Sequence, residues 1–465
     1  EIFAPATDGA IFFGDTQGVG VIDVDSARTP YFPVGTNPSR PLNTVVTTPS
    51  GNVVKVVVTD LVDITTDQRS WTAFHTFICV LNSPTMFWTT VYAASRTENG
   101  GEVVVIDSFQ MTPLGRFATP SPGGIGITSV GFQAFAAVSN FSANTVTVFD
   151  INNVHWDSGN NFIGIGQGGG LQGQVINGTA QLILSEEDFA RVFPHQRADL
   201  DSPPGPPILG TVNAGISPTA VAVSGFPSSY GIPTFPCFGP FYLNVVIMGV
   251  LNAGESTVDF SELTNLAQNQ SLNPDLDGVT VSSTPVDFDW TPVHGIGSYY
   301  AFITAIGGTV ELFQTGFFAN RPSVLTSSSS NFNPNKIINN ISGFKQPSGV
   351  QWVTNGLASN GINFYSLAAL VAETSENRIQ QVAVASVFPN LFTVSNANHV
   401  AGLGPTQITL DPNAAGFGWC GPRSFRYYVA NTGSGNVLQN GYSGPSAATT
   451  IEVPGIQRVA SIWSR

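Results

Sequence analysis

The chain has 465 residues and a formal net charge of −14, with 16 lysine and arginine residues against 30 acidic ones. So small a basic complement excludes an ordinary duplex-binding protein, which needs many cations to neutralise phosphates. A hydrophobic fraction of 42% with 33 phenylalanines excludes a disordered chain, and the absence of a glycine period and of charged heptads excludes collagen and a coiled coil.

The chain carries few signals of targeting or covalent modification. It begins at Glu1 with no charged and then apolar leader, and no apolar run reaches the about 18 residues needed to span a bilayer. We therefore expect a mature secreted protein whose signal has been removed. Three cysteines, Cys79, Cys237 and Cys420, allow one disulfide at most, and free buried thiols are the expectation. Four sequons permit glycosylation, at Asn140, Asn177, Asn269 and Asn340.

A proline precedes a short apolar strand seven times along the chain. These prolines are Pro41, Pro122, Pro218, Pro285, Pro347, Pro405 and Pro454. The residue five positions later is always apolar, and small residues are common just before it. Because proline lacks an N–H, it is harmless where a strand is entered from a loop. Each proline therefore predicts the start of an inner strand.

Further strands follow most of these prolines in the same order. The clearest pairs are TVYAAS with GEVVVID, AFAAVS with NTVTVFD, and YYVAN with SGNVLQ, and a weaker fourth strand such as LGRFAT or KIINNI leads to the next proline. Four antiparallel strands repeated seven times are typical of a β-propeller. We predict an all-β, seven-bladed propeller that occupies residues 1–465 as one domain.

The letters of some repeats resemble a known family. Residues 428–431 (YVAN) with 436–437 (NV), and residues 144–150 (NTVTVFD), resemble the YVTN-repeat β-propeller family. The VG at 34–35 with Pro41 is similar to that family's join between blades. The resemblance implies the propeller fold and indicates little about function, since such folds host many activities.

The two ends of the chain predict how the ring closes. The last proline strand, residues 456–462, has no partner strands after it. Residues 10–14, 18–23 and 31–34 near the N-terminus have strand character and no inner strand of their own. We predict that the last blade combines the C-terminal inner strand with these three outer strands, which removes an open sheet edge.

The spacing between prolines exceeds the about 40 to 45 residues of a bare blade. The excess predicts long insertions near residues 51–86, 152–207, 265–278 and 315–335, with another near 224–239. Within the second, the acidic stretch 184–192 is the best helix candidate, with Ser185 as its N-cap. Insertions in repeat folds are where binding surfaces are usually built.

Two acidic residues stand out on one predicted inner strand. Asp287 and Asp289 lie on the same side of that strand, next to the propeller axis, and Arg458 has a comparable place in the last strand. They are candidates for a general acid–base pair or for ion ligands. Alternatively, the carboxylates bind loop N–H groups or an arginine and close the structure. We find no comparable charge on another predicted inner strand.

A second candidate site resembles the start of a calcium loop. Asn273, Asp275 and Asp277 alternate, and Gly278 occupies the position of the sharp turn. The twelfth position is Thr284, where such loops carry a bidentate glutamate, and a β-turn explains the same letters. Calcium is the one cofactor that the sequence suggests, since the five histidines show no metal-ligand spacing.

The sequence leaves three functions open. The first is a secreted structural or interaction propeller, a subunit of an extracellular surface assembly or filament whose partners are copies of itself. Low charge favours it, because the desolvation free energy for burying a surface with few charges is small. The second is a module that binds glycans or other ligands through aromatic insertions. The third is a lactonase-like or lyase-like enzyme that acts at the axis through Asp287 and Asp289.

Overall fold

The structure is a computed structural model. It describes residues 10–24, 43–48, 50–66, 90–98, 100–107, 111–130, 133–151, 173–176, 179–182, 206, 208–223, 247–263, 273–290, 300–314, 336–354, 367–384, 392–410, 426–441 and 448–460. Within these ranges the chain forms 31 β-strands and no helix. No described segment has the helical length and apolarity that would let it cross a bilayer.

The strands are short, as expected from β-branched runs bounded by turns. In chain order they are β1 (Ala10–Asp15), β2 (Gly18–Asp23), β3 (Thr44–Val45), β4 (Lys55–Val57), β5 (Leu61–Thr66), β6 (Thr90–Thr97), β7 (Gly100–Asp107), β8 (Thr112–Thr119), β9 (Pro122–Val130), β10 (Gln133–Asn140), β11 (Thr145–Asp150), β12 (Gly173–Ile176), β13 (Thr179–Leu182), β14 (Ile208–Asn213), β15 (Pro218–Val223), β16 (Ile247–Asn252), β17 (Thr257–Glu262), β18 (Asn273–Thr280), β19 (Pro285–Trp290), β20 (Tyr300–Ala305), β21 (Thr309–Gln314), β22 (Lys336–Ser342), β23 (Pro347–Thr354), β24 (Leu367–Glu373), β25 (Arg378–Val384), β26 (Phe392–Val400), β27 (Pro405–Leu410), β28 (Arg426–Asn431), β29 (Asn436–Gly441), β30 (Thr449–Glu452) and β31 (Ile456–Ala460).

Seven antiparallel sheets form the blades of a ring, which confirms the predicted propeller. Blade 1 is β5–β8, blade 2 is β9, β10, β11 and β14, and blades 3 to 6 are β15–β18, β19–β22, β23–β26 and β27–β30. The strands β12 and β13 form a separate two-stranded hairpin between β11 and β14. In each blade the first of these strands is the inner strand.

Blade 7 joins the two ends of the chain, as predicted. Its strand order is β31, β1, β2 and β3, with β4 also paired to β2. Phe13 of β1 stands opposite Val459 of β31. The two outer strands predicted near residues 10–14 and 18–23 are confirmed as β1 and β2. The third was placed at residues 31–34, which lie outside the described residues, and the described strands beyond β2 are β3 and β4.

Five inner strands begin at the predicted prolines, and two do not. The five are β9, β15, β19, β23 and β27. Blade 1 starts instead at Leu61, so the assignment to Pro41 was wrong, and blade 7 starts at Ile456, two residues after Pro454. A register shift follows the first residue in both, just as it follows Pro285. An ordinary residue fits here because its N–H finds an acceptor, as Ile456 does in the carbonyl of Val453.

The apolar core is divided among the gaps between blades, which we call seams. Seven clusters of buried residues each combine side chains of two neighbouring blades. At the seam of blades 3 and 4, Phe260 stacks on Phe313 with ring centroids 4.2 Å apart. Both faces of a blade are therefore buried, which explains continuous buried runs such as that of β2.

The connections divide between the two faces of the ring. Antiparallel order places every link from first to second strand, and from third to fourth, on one face, which we call the long-connection face. Turns from second to third strand and links to the next blade lie on the other, the short-turn face. The predicted insertions 152–207, 224–239 and 315–335 all join strand ends on the long-connection face.

Two predicted insertions need new boundaries. The range 51–86 contains β4 and β5, so the long link of blade 1 starts after Thr66. The range 265–278 overlaps β18, which begins at Asn273. The predicted helix at 184–192 and all three cysteines lie outside the described residues.

Candidate functional site

The third residue of each inner strand occupies an equivalent place beside a seam. Four of these residues are large and polar, and three are small. They are Asp63, Asp287, Gln407 and Arg458, and Gly124, Ala220 and Gly349. The polar four decide what the candidate site at the axis can do.

Asp287 connects blade 4 to blade 5. It is 3% exposed, and its Oδ2 accepts a hydrogen bond from the backbone N–H of Val350, 2.8 Å away in the neighbouring inner strand. Its Oδ1 accepts from the N–H of Phe288, also at 2.8 Å. The carboxylate thus satisfies a buried backbone donor on β23, an edge strand that pairs only with β24.

Asp63 does the same between blades 1 and 2. Its Oδ2 accepts from the N–H of Ile125 at 3.1 Å, and its Oδ1 accepts from the N–H of Ile64 at 3.0 Å. The sequence-based statement that no other inner strand carries comparable charge was therefore wrong. The sequence did not reveal Asp63, because the inner strand of blade 1 had been assigned to Pro41. The one signal that could have identified it is an acidic residue two positions after an apolar strand start.

Asp289 adds a side-chain contact to the same seam as Asp287. Its Oδ2 accepts from the Nε2 amide of Gln351 at 2.8 Å, and both residues are buried. Both carboxylates of the predicted acid–base pair therefore bind blade 5. This geometry corresponds to the alternative in which the acids close the structure, and a catalytic role for them stays a prediction.

Arg458 lies at a different seam from the two acids. Its Nε donates to the carbonyl of Val62, 3.0 Å away, and so links blade 7 to blade 1. The next seam back is closed by Gln407, whose Oε1 accepts from the N–H of Val459 at 2.9 Å. Blades 4 and 7 are not neighbours, so the structure does not bring Arg458 together with Asp287 and Asp289.

A cavity of about 390 Å³ opens where the inner strands of blades 1, 6 and 7 begin, on the short-turn face. Its lining residues are Leu61, Val62, Arg96, Thr406, Thr432, Gln457 and Arg458. Among the described residues, the lining contains two arginines and no carboxylate. Sequence reasoning found Arg458 and missed Arg96, because a lone arginine at the end of a second strand carries no motif.

Arg96 is held by contacts that do not neutralise it. Its guanidinium lies 4.3 Å from the ring centroid of Phe141, and its backbone N–H donates to the carbonyl of Asp60. The Nη1 atom is buried and has no hydrogen-bond partner among the described residues. A buried donor without an acceptor is uncommon and calls for an explanation.

The asparagines of the YVAN-like repeats support hairpins. Asn140, Asn252 and Asn431 end their second strands and are buried. The Nδ2 of Asn140 donates to Thr145, and the other two amides make the equivalent contact across the turn. Of the sequons, Asn140 is thus buried with its amide engaged, Asn340 is exposed, and Asn177 and Asn269 lie outside the described residues.

The calcium candidates lie on an edge strand. Asn273, Asp275 and Asp277 belong to β18, with Asn273 opposite Glu262. Their side chains are outside the described part of the structure. Among the described residues, no group of three or more His, Cys, Asp or Glu side chains is arranged to hold a metal ion. Calcium at these residues stays a prediction.

Few described groups have displaced pKa values, and each has a physical cause. Burial lowers the pKa of His399, and burial raises that of Tyr427 beyond its ordinary range. The two rings contact edge to face, with centroids 5.9 Å apart, across the outer part of the seam of blades 5 and 6. His399 lies on the outermost strand of blade 5 and Tyr427 on the second strand of blade 6, so neither residue belongs to an inner strand and the pair does not build an acid–base site at the axis.

Comparison with known proteins supports the propeller fold and does not assign the chain to a family. No protein-family model matches the chain, and no curated protein matches its sequence. Among solved structures, the periplasmic gluconolactonase PpgL of Pseudomonas aeruginosa is 11% identical with a TM-score of 0.50, covering 97% of this chain and 98% of that one. AztD of Citrobacter koseri is 9% identical with a TM-score of 0.37, covering 97% and 96%. The dihydro-heme d1 dehydrogenase NirN is 10% identical with a TM-score of 0.41, covering 99% and 76%. At these identities the likeness to the gluconolactonase shows the propeller fold alone, and membership of the YVTN-repeat family is not confirmed.

Proposed function

We propose that this chain is a secreted structural or interaction propeller, a subunit of an extracellular surface assembly or filament that binds copies of itself. The observation that carries this proposal is the use of the inner-strand acids. Asp63, Asp287 and Asp289 are engaged in contacts between blades, as expected of a scaffold. The propeller then offers its connections, and above all those of the long-connection face, as its interaction surface.

The composition of the long-connection face supports the proposal. Five of the seven tryptophans belong to segments attached to strand ends on this face. These are Trp71, Trp88, Trp156, Trp419 and Trp463. Aromatic residues are enriched at protein interfaces, where charged residues are depleted. Since only 10% of the chain is charged, a large contact surface costs little desolvation.

The test is the oligomeric state of the purified chain and its dependence on one face. We expect light scattering after gel filtration to show association that grows with concentration, and electron microscopy of native material to show regular assemblies. Trp419→Ser is expected to weaken association. The matched control is Leu403→Ser, which removes an exposed apolar side chain from the short-turn face and leaves association unchanged.

Two outcomes contradict this proposal. One is a protein that stays monomeric at high concentration and binds no surface or partner. The other is association that Leu403→Ser weakens as much as Trp419→Ser does, because the interface would then lie elsewhere. Secretion is tested separately, by locating the protein in fractions of the native cells.

The cavity favours a second candidate function, the binding of a small ligand. A lactonase-like or lyase-like activity at the axis has less support, because Asp287 and Asp289 are buried and hydrogen-bonded to blade 5. The gluconolactonase likeness concerns the fold and adds nothing about chemistry. Unchanged turnover of a candidate lactone after Asp289→Asn would remove the enzyme hypothesis for that residue.

A further inference from the structure

We propose that the cavity between blades 1, 6 and 7 binds a small solute through an oxyanion group, as in a carboxylate, a sulfate or a phosphate. The cavity volume of about 390 Å³ falls within the range of small-molecule sites. Arg96 and Arg458 reach it from different blades, and no acidic side chain of the described residues contributes to its lining. This proposal is independent of whether the chain assembles.

The charge of these two arginines makes the site unusual within this protein. The chain has 30 acidic and only 16 basic residues, so most cations have acids available as partners. Arg116 pairs with Glu102, and Arg378 pairs with Glu373. Neither Arg96 nor Arg458 forms an ion pair with a described residue. Two guanidinium groups that share one cavity without an ion pair among the described residues favour the binding of an anion there.

Both arginines are positioned before any ligand arrives. The Nε of Arg458 donates to Val62, which leaves its two terminal nitrogens available, and the stack on Phe141 orients Arg96. Guanidinium groups match the geometry of carboxylate and phosphate oxygens. Because these side chains are already ordered, little rotamer entropy is lost on binding.

The remaining polar residues define what else the solute meets. Gln457 has an amide that makes no hydrogen bond among the described residues, and so it offers both a donor and an acceptor. The hydroxyls of Thr406 and Thr432 already donate to the backbone carbonyls of Ala430 and Gly404. They can therefore only accept from a ligand, which suits a solute that carries hydroxyl groups beside its oxyanion.

The experiment is calorimetric titration of the full chain at low ionic strength. The probes are inorganic sulfate, inorganic phosphate, glucuronate and, as a neutral comparison, glucose. We expect at least one oxyanion to bind and glucose not to bind. A preference for sulfate or phosphate identifies a tetrahedral group, whereas a preference for glucuronate identifies a carboxylate on a hydroxylated frame.

Three variants make the assignment specific. Arg96→Gln is expected to weaken binding about tenfold or more, because it removes a charge-assisted donor. Gln457→Glu is nearly isosteric and keeps both arginines, and we expect it to weaken binding by a similar factor through repulsion of the anion. Arg116→Gln is the matched control, since it removes an exposed arginine from the outer strand of blade 1 and should change affinity less than twofold.

Thermal melting of each variant shows whether it is folded. If Arg96→Gln does not fold, Gln457→Glu still tests the proposal. The proposal is overturned if no oxyanion binds the native chain. It is equally overturned if Gln457→Glu binds the probe as tightly as the native chain, or if Arg116→Gln weakens binding as much as the cavity variants do.

Discussion

The seams on the two sides of blade 5 are closed by opposite means. Between blades 4 and 5, Asp287 extends across the gap and accepts a hydrogen bond from Val350. Between blades 5 and 6, the equivalent position is Gly349, and a Cβ atom there would lie 2.7 Å from the carbonyl oxygen of Thr406 and 2.8 Å from the Cα of Gln407. One seam is therefore filled by a side chain, and the other requires that none be present.

The same contrast recurs on the two sides of blade 2. Asp63 closes the seam with blade 1, and Gly124 allows blade 3 to approach until a Cβ atom would lie 2.7 Å from the Cα of Ala220. Inner strands near the axis have little room, because seven of them converge there. A seam can thus accommodate a polar side chain that satisfies a backbone donor, or it can bring two backbones together, but it cannot do both.

The largest expected effect comes from opening the ring at blade 7. Deleting residues 456–465 removes β31, which buries Ile456 and Val459, and exposes the edge of β1. We expect the free energy of unfolding to fall by about 4 kcal/mol or more. The measurement is urea unfolding followed by circular dichroism. A control that deletes only residues 461–465 keeps β31, and unchanged stability of the longer deletion would refute the closure.

The second largest effect is expected at the glycine seam. Gly349→Val places a branched side chain against the backbone of blade 6, and we expect a loss of about 3 kcal/mol or more, since overpacking there cannot be relieved by a rotamer. The control is Val286→Ala, on the inner strand of blade 4, whose 38% exposed side chain should matter by about 0.5 kcal/mol or less. Equal effects of the two, measured by urea unfolding, would mean that close backbone approach is not what closes this seam.

A substitution at the carboxylate seam should lower the free energy of unfolding less than one at the glycine seam. Removing the carboxylate leaves a gap and an unpaired donor but forces no backbone apart. Asp287→Ala removes the acceptor of the buried N–H of Val350, and we expect a cost of about 2–3 kcal/mol. Asp60→Asn is the control, since this exposed residue next to an inner strand tolerates the change within about 0.5 kcal/mol. An Asp287→Ala protein as stable as the native one, in the same unfolding assay, would show that the seam is closed by apolar contacts alone.

The smallest expected effect is a pH dependence of stability that arises at the seam of blades 5 and 6. His399 lies at the outer part of the glycine seam, against Tyr427, and burial lowers its pKa in the folded state. The unfolded chain therefore binds a proton more readily, so the stability contributed by neutral His399 is complete above about pH 6.5 and declines as the pH falls towards the folded pKa. We expect His399→Gln to flatten the pH dependence of the melting temperature between about pH 7 and pH 5. A native protein with no slope in that window, or a slope that persists in His399→Gln, would contradict this.

Part of this architecture was readable from the sequence because it depends on local chemistry. Proline at the start of an inner strand marks a position that needs no N–H, and five of the seven strands begin there. The partnerless strand at 456–462 implied that the N-terminus completes the last blade, which follows from the need to remove sheet edges. The proline pattern predicted the wrong start for the inner strand of blade 1, which begins at Leu61 and not at a proline.

The candidate site was less predictable, because it depends on neighbours distant in sequence. The local sequence around Asp287 does not distinguish a catalytic from a structural role. Its role is indicated only by its contact with Val350, 63 residues later in the chain. Arg96 had no motif at all, yet it shares a cavity with Arg458 because the ring places the first and last blades side by side.

By itself, the sequence determined the all-β class, the number of blades and the way the ring closes, since these follow from strand periodicity and from turn-forming residues. Only the tertiary structure decided which inner strands carry the acids, that these acids contact the next blade, and that two arginines meet at one cavity. The physical reason is that a propeller stabilises itself through contacts between blades, and which side chain faces which neighbour depends on the closed ring and on register shifts that local patterns do not encode.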